Sequence, residues 1–264
     1  MKIAIDPGHG MSNRQQNLYD SGATHTENGV PHQEATIALK YGLSLKDVFR
    51  ARGQDVFMTR DDAQDHAPVG SRAGNAKSAG CEVFISLHLN DFDDDSANGL
   101  EVLYRGDDDK VLAQALQDAL IAETGFRDRG IKHRTDLAVL RFDGQAVLIE
   151  LGFIANDGNR DALNNPATRE AICAAIATTT LAHFNITPSG PTPPTPGGVP
   201  TARVNPPAGD TLTVRGGPGA NHPALGTLAA GTIVNIHGSS GRWRKIDPAT
   251  ERWVNSNFLV PLTA

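Results

Sequence analysis

The chain has 264 residues, of which 39% are hydrophobic and 20% charged, with a formal net charge of -6. These values fit a soluble globular protein of one large domain, or a large and a small one, and exclude a disordered chain or a nucleic-acid binder held by a basic surface. The charge is uneven. Residues 203–264 carry six Lys/Arg and three Asp/Glu against 18 and 27 elsewhere, a basic tail suited to a partner bearing carboxylates or phosphates, though ordinary surface variation explains it as well.

The chain opens with MKIAIDPGHG, which lacks the run of about 7–15 apolar residues that a signal peptide needs. No stretch reaches the about 18 apolar residues of a membrane span. The expectation is synthesis in the cytoplasm with no Sec-type route out, action away from membranes, and a monomer. KIAID (2–6) reads as a first strand, and a helix follows over Gln33–Arg52 with apolar Ile37, Tyr41, Leu45, Val48 and Phe49. DVFMT (55–59), EVFISLHL (82–89), GLEVLY (99–104) and QAVLIEL (145–151) are further strands, rich in β-formers. Helical patterns cover Arg72–Ala79, Lys110–Glu123 and Arg169–Phe184, and Asp107–Asp109 sits where acidic residues favour a helix N-terminus. Alternating strands and helices predict an α/β domain with a mostly parallel sheet covered by helices on both faces. Cys81 and Cys173 read as small buried hydrophobes rather than a disulfide.

TPSGPTPPTPGGVP (187–200) has no charge and is mostly Pro, Gly, Ser and Thr. It is expected to be a semi-rigid spacer reaching on the order of 40 Å. Beyond it, from about Thr201, TLTVRGGPG, ALGTLAAGTIVNIHGSSGRWRKI and ERWVNSNFLVPL read as short strands broken by Gly-rich turns, the pattern of a small all-β barrel. The predicted organisation is therefore residues 1–186, a linker at 187–200, and 201–264.

Three polar residues fall at strand ends: His9 after KIAID, His88 near the end of EVFISLHL and Glu150 near the end of QAVLIEL. A fourth, Glu34, opens the first long helix. In open parallel sheets, sites gather beyond the strand C-termini, so these four can share one pocket. Two imidazoles and one carboxylate make a three-ligand zinc site with a position open to water, and a second glutamate can move protons. Each histidine taken singly is more readily a satisfied structural residue.

The order of flanking segments changes that balance. IAIDPGHG (3–10), DSGA (20–23), the helix led by Glu34, MTR (58–60), FISLHLN (84–90) and LIELGFIAN (148–156) together resemble the zinc-dependent N-acetylmuramoyl-L-alanine amidases of the Amidase_3 group. The resemblance runs through about residues 1–184. It implies Zn²⁺ held by His9, Glu34 and His88, and Glu150 as the catalytic residue. It further implies peptidoglycan as the partner, with cleavage of the amide between N-acetylmuramic acid and L-alanine of the stem peptide. LTVRGGPG (212–219), LGTLAAGTIVNI (225–236), GRWRKI (241–246) and RWVNSNFL (252–259) resemble a bacterial SH3-like domain, a class that commonly binds cell-wall peptide. Trp243 and Trp253 read first as core aromatics and second as binding aromatics.

Some positions depart from the pattern. His32 and Glu27 rival Glu34 as ligands, and Gln145 stands where proline is common. Only DFDDDSAN separates Asn90 from Gly99, leaving no room for the inhibitory helix of cell-division amidases, so a lytic, endolysin-type enzyme is expected. Asp91–Asp95 reads as a solvated acidic loop. Arg72 and Glu101 are either cleft-lining or structural, and His66, His133, His183, His222 and His237 receive no role. Two other readings stand beside this one: a zinc peptidase cutting within the stem peptide, and a wall-binding module on an inactive amidase fold.

Overall fold

A computed structural model describes residues 1–92, 96–187, 201–207, 209–248 and 250–262. Most of the spacer at 187–200, and Asp93–Asp95 of the acidic segment, lie outside the described residues. The chain divides into two compact units, Met1–Gly190 and Pro191–Ala264.

In the first unit the elements run β1 (Lys2–Pro7), β2 (Thr24–Glu27), β3 (Val30–Gln33), α1 (Glu34–Ala51), β4 (Asp55–Met58), α2 (Val69–Ser78), β5 (Val83–Asn90), β6 (Leu100–Tyr104), α3 (Asp107–Thr124), β7 (Asp128–His133), β8 (Gln145–Phe153), α4 (Asp157–Asn164) and α5 (Pro166–His183). One six-stranded sheet has the order β4-β1-β5-β8-β6-β7. Its neighbours pair parallel except β6 with β8. The mostly parallel sheet is therefore mixed, with β6 and β7 running against the rest.

Strand alternation assigns each side chain to one face. Ile3, Ile5, Val83, Ile85, Leu87, Val147, Ile149 and Leu151 join the larger core with Tyr41, Leu45 and Phe49 of α1, Leu116 of α3 and Ile176 of α5. The opposite face carries Ala4, Phe84, Leu103, Ala146 and Leu148 against Ala76 of α2 and Val139 and Leu140 of a short 3-10 turn. Cys81 and Cys173 are free and buried, one in each core. The helix ends follow local chemistry: Asn165 accepts from the Ala167 N–H with Pro166 at the first position of α5, and Asp109 ties α3 to the sheet by accepting from the Ala146 N–H at 2.9 Å.

The β2–β3 hairpin, β7 and α4 carry weak sequence signals. THTE and VPHQ are largely exposed, β7 is the polar edge strand DRGIKH, and α4 is DGNRDALN. The hairpin and β7 lack an apolar stripe, and α4, with only Ala162 and Leu163 apolar in eight residues, is too short to show a period. Among the described residues no helix is long and apolar enough to cross a membrane.

The second unit holds a five-stranded sheet ordered β11-β10-β15-β14-β13 and a three-stranded sheet ordered β12-β9-β16. The strands are β9 (Thr201–Val204), β10 (Thr211–Arg215), β11 (Ala224–Ala229), β12 (Ile233–Asn235), β13 (Gly238–Ser240), β14 (Trp243–Lys245), β15 (Trp253–Asn255) and β16 (Leu259–Leu262). All pairings are antiparallel. Its small core is aliphatic, built on Ala202, Val204, Leu212, Val214, Val234 and Val254. Trp253 is buried with its indole N–H donating to Glu251, and Trp243 is half-buried.

Candidate metal centre and active site

Following the α2-covered face toward the strand C-termini replaces apolar side chains with polar ones. Alternation from Ala4 leads to Asp6, from Phe84 to Ser86 and His88, and from Leu148 to Glu150. Register sets these side by side: Asp6 opposes Ser86, His88 opposes Glu150, and Glu101 of antiparallel β6 opposes Glu150 from the other side. The site thus begins two residues beyond the core on the same strands.

His9 hangs from a loop bent into an unusual shape, with φ of 61° at His9 itself. Such a backbone costs on the order of 1–3 kcal/mol and persists only where its surroundings over-determine it. Two buried arginines do so here. Arg60 donates to the carbonyls of Pro7 (2.9 Å), Gly8 (2.8 Å) and Ala35 (2.7 Å). Arg72 donates to the carbonyls of Pro7 (3.1 Å) and His9 (2.6 Å) and to Asp6 Oδ1 at 2.9 Å. Asp6, fully buried, also accepts from the hydroxyls of Thr59 and Ser86. Burial would raise its pKa, but Arg72 and the two hydroxyls outweigh that and hold the carboxyl below its usual range.

Glu34 enters from the first residue of α1. Its Oε1 accepts from His88 Nδ1 at 2.8 Å and the Leu89 N–H at 2.9 Å. Oε2 accepts from the Ala23 N–H at 2.8 Å and lies 3.0 Å from His9 Nε2. The other ring nitrogen of His9, Nδ1, meets Asp20 Oδ2 at 2.9 Å, and Asp20 is itself held by the Ser12 hydroxyl and the Gly22 N–H. An imidazole oriented on one nitrogen by a carboxylate presents the other as a ligand. The ligand atoms of His9, Glu34 and His88 all lie within 4.8 Å of one another. Two glycines are required by this crowding. A Cβ on Gly8 would lie 2.4 Å from His88 Cε1, and one on Gly22 would lie 2.5 Å from Glu34 Oε2.

The electrostatics agree with the contacts. Burial lowers the His9 pKa, but hydrogen bonds and charge from Glu34 and Asp20 carry it up to about 9. His88 is raised against its burial by the hydrogen bond and charge of Glu34 and by the charge of Glu150. Glu34 is held well below the carboxylate range, the two imidazoles overcoming burial. Glu150 behaves in the opposite way. Burial, then the charges of Glu34 and Glu101, push it up to about 7 against the pull of His88 and His9. Its Oε2 is buried and, among the described residues, has no hydrogen-bond partner. Glu101 is fixed by Asn90 Nδ2 at 3.0 Å and Arg129 Nε at 2.9 Å.

The structure brings together His9, Glu34 and His88, with Glu150 beside His88. The rivals lie elsewhere: His32 opposes His25 in the β2–β3 hairpin, and Glu27 pairs with Arg160 at 3.0 Å. Asp20, Arg60 and the clamp role of Arg72 were missed by sequence reasoning. All three stand in or near the quoted segments, but nothing in those segments tells which carbonyl or ring nitrogen each will meet. Among the described residues the one other acidic group able to approach a metal is Asp61, Asp62 and Asp65, an exposed turn.

Comparison with known proteins follows the same division. Residues 3–180 match the family model for N-acetylmuramoyl-L-alanine amidase, and residues 210–260 match that for the bacterial SH3 domain. The chain is 30% identical over 185 residues to the probable cell wall amidase LytH of Staphylococcus epidermidis, covering 69% of this chain and 58% of LytH. It is 29% identical to the N-acetylmuramoyl-L-alanine amidase LytC of Bacillus subtilis, covering 69% of this chain and 35% of LytC. It thus spans about a third to three fifths of the length of these relatives. The catalytic domain of CwlV, an N-acetylmuramoyl-L-alanine amidase from Bacillus (Paenibacillus) polymyxa, superposes with a TM-score of 0.62 at 25% identity, covering 70% of this chain and 98% of that one.

Proposed function

This chain belongs to the N-acetylmuramoyl-L-alanine amidase family, and from that membership we propose that it hydrolyses the amide joining the lactyl group of N-acetylmuramic acid to L-alanine of the peptidoglycan stem peptide. The observation that carries the reading is Glu150, half-buried with its buried Oε2 unpartnered among the described residues, in register beside His88 of a His–Glu–His cluster. That cluster suits Zn²⁺. Two imidazole nitrogens and a carboxylate form the three-ligand set of catalytic zinc, and His9 and Glu34 already have the outer hydrogen bonds such ligands need. Bound there, zinc would lower the pKa of a water molecule and polarise the lactyl carbonyl.

The chain's own groups handle the proton. Glu150, with a pKa of about 7, accepts a proton as the water oxygen bonds to the carbonyl carbon. It returns that proton to the alanine nitrogen as the C–N bond breaks, and the second proton of the water passes from the new carboxyl group to the amine, leaving a lactyl carboxylate and an alanine ammonium group. We assign the enzyme a lytic role at the cell wall, because the eight residues between Asn90 and Gly99 are too few for a helix inserted over the site. The SH3 unit would tether it to the wall.

The test is digestion of purified peptidoglycan with and without a zinc chelator, followed by identification of the new chain ends. New L-alanine amino termini that vanish with chelator and return with Zn²⁺ support the proposal. Amino groups on other stem residues would favour a stem peptidase, and no new ends would favour a binding module.

A further inference from the structure

The first unit has a cleft of about 600 Å³ that none of the four site residues lines. Its floor is the exposed flank of α2, with Gly70, Ala73 and Gly74, and its walls include Ser12, Arg14 and Arg141. No atom lies within 4 Å of where a Cβ would sit on Gly70 or Gly74, so the floor is open. Arg14 and Arg141 are both exposed, and among the described residues neither makes an ion pair. Two guanidinium groups at one cleft therefore face a body whose overall charge is negative.

The cleft connects to the metal centre through Ser12. Ser12, in its wall, donates to Asp20 at 2.8 Å, and Asp20 meets His9 at 2.9 Å, so the wall is two hydrogen bonds from a proposed ligand. The segment leading to Ala138 and Arg141 begins at Arg134, which lies close enough to Glu150 and Glu101 to feel their charge.

Resting on the amidase reading above, we propose that this cleft is a subsite for the stem peptide, in which Arg14 and Arg141 bind a free carboxylate on a residue beyond the L-alanine. The cleft has the size of a small-ligand pocket, with room for a few residues of peptide. A guanidinium recognises a carboxylate through parallel N–H donors, whereas a carboxamide offers one acceptor and no charge. The subsite therefore makes the enzyme selective for stems whose second residue keeps its α-carboxylate over stems in which that group is amidated.

The test compares two soluble muropeptides, identical except for a carboxylate or a carboxamide at that position, with the zinc-loaded full chain. The expected ratio of kcat/KM, acid over amide, is about tenfold or more. Arg14→Gln and Arg141→Gln should each lower that ratio, and the double variant should bring it near one. Gly74→Leu, which fills the floor without altering charge, should lower it too, through KM. A wild-type ratio near one, or a ratio unchanged in the double variant, overturns the subsite while cleavage of the amide muropeptide still upholds the amidase reading. Release of new alanine amino termini from neither substrate overturns both.

Discussion

The two halves of the α2-covered sheet face make an instructive pair. Toward the strand N-termini the face is apolar, with Ala4, Phe84, Ala146 and Leu148 packed on α2 and the 3-10 turn. Toward the C-termini, on the same strands and the same alternation, it carries Asp6, Ser86, His88 and Glu150. The first half stabilises by excluding water. The second is withdrawn from water fully at Asp6 and Ser86 and partly at His88 and Glu150, so its buried polar groups must each find a partner, because an unpaired buried charge is costly. Asp6, Arg60 and Arg72 find theirs among one another and in backbone carbonyls. Among the described residues, Glu150 alone of the row keeps a buried oxygen without one, which places unspent hydrogen-bonding capacity where the proposed reaction needs it.

Single substitutions can break this contrast, and the largest effect is expected at its polar extreme. Glu150→Gln should lower kcat by about 10²–10⁴-fold with zinc content unchanged by metal analysis. Glu34→Ala should lose both zinc and activity, and the reverse outcome for the pair would exchange their roles. Arg72→Met leaves Asp6 without its charged partner in the interior. It should cost about 3–5 kcal/mol in denaturant unfolding and weaken zinc binding together, since the same side chain holds the His9 carbonyl.

On the apolar side, Leu148→Ala lies two residues from Glu150 yet should cost about 2–5 kcal/mol of stability with kcat and zinc content of the folded enzyme intact. A matching fall in kcat would show that the two halves are not separable. Asp20→Asn removes the carboxylate behind His9, and titration should find zinc bound about 10–100-fold more weakly.

The smallest effect concerns pH in zinc-free protein. The His9 pKa is raised to about 9, so its contribution is fully present below about pH 6.5 and disappears as pH rises through about 9. Glu34 and Asp6 are lowered, so theirs is present above about pH 4 and disappears as pH falls below it. Melting temperature should therefore peak in the interval between. Zinc, which competes with protons for the imidazoles, should flatten the alkaline side. A zinc-free protein that melts at one temperature from pH 6 to 10 would contradict the raised His9.

Much of this polar face was legible in the sequence. His9, His88 and Glu150 each end a strong apolar strand, and Glu34 begins a helix whose four-residue spacing of Ile37, Tyr41, Leu45 and Phe49 is plain. Strand ends and helix starts are local events, set by side-chain periodicity and capping, so composition and order reveal them. The contacts that orient these groups were not legible. Arg60 and Arg72 reach carbonyls more than 50 residues away in sequence, and the pairing of Glu101 with Glu150 depends on β6 running against its neighbour. Strand direction, register and the length of an arginine's reach are decided only when the sheet closes. By itself the sequence determined which residues could do chemistry and at which end of the sheet they would stand. The tertiary structure decided which carboxylate is stabilised as an anion between two imidazoles and which is desolvated beside them, because a pKa depends on distances and burial that no local pattern encodes.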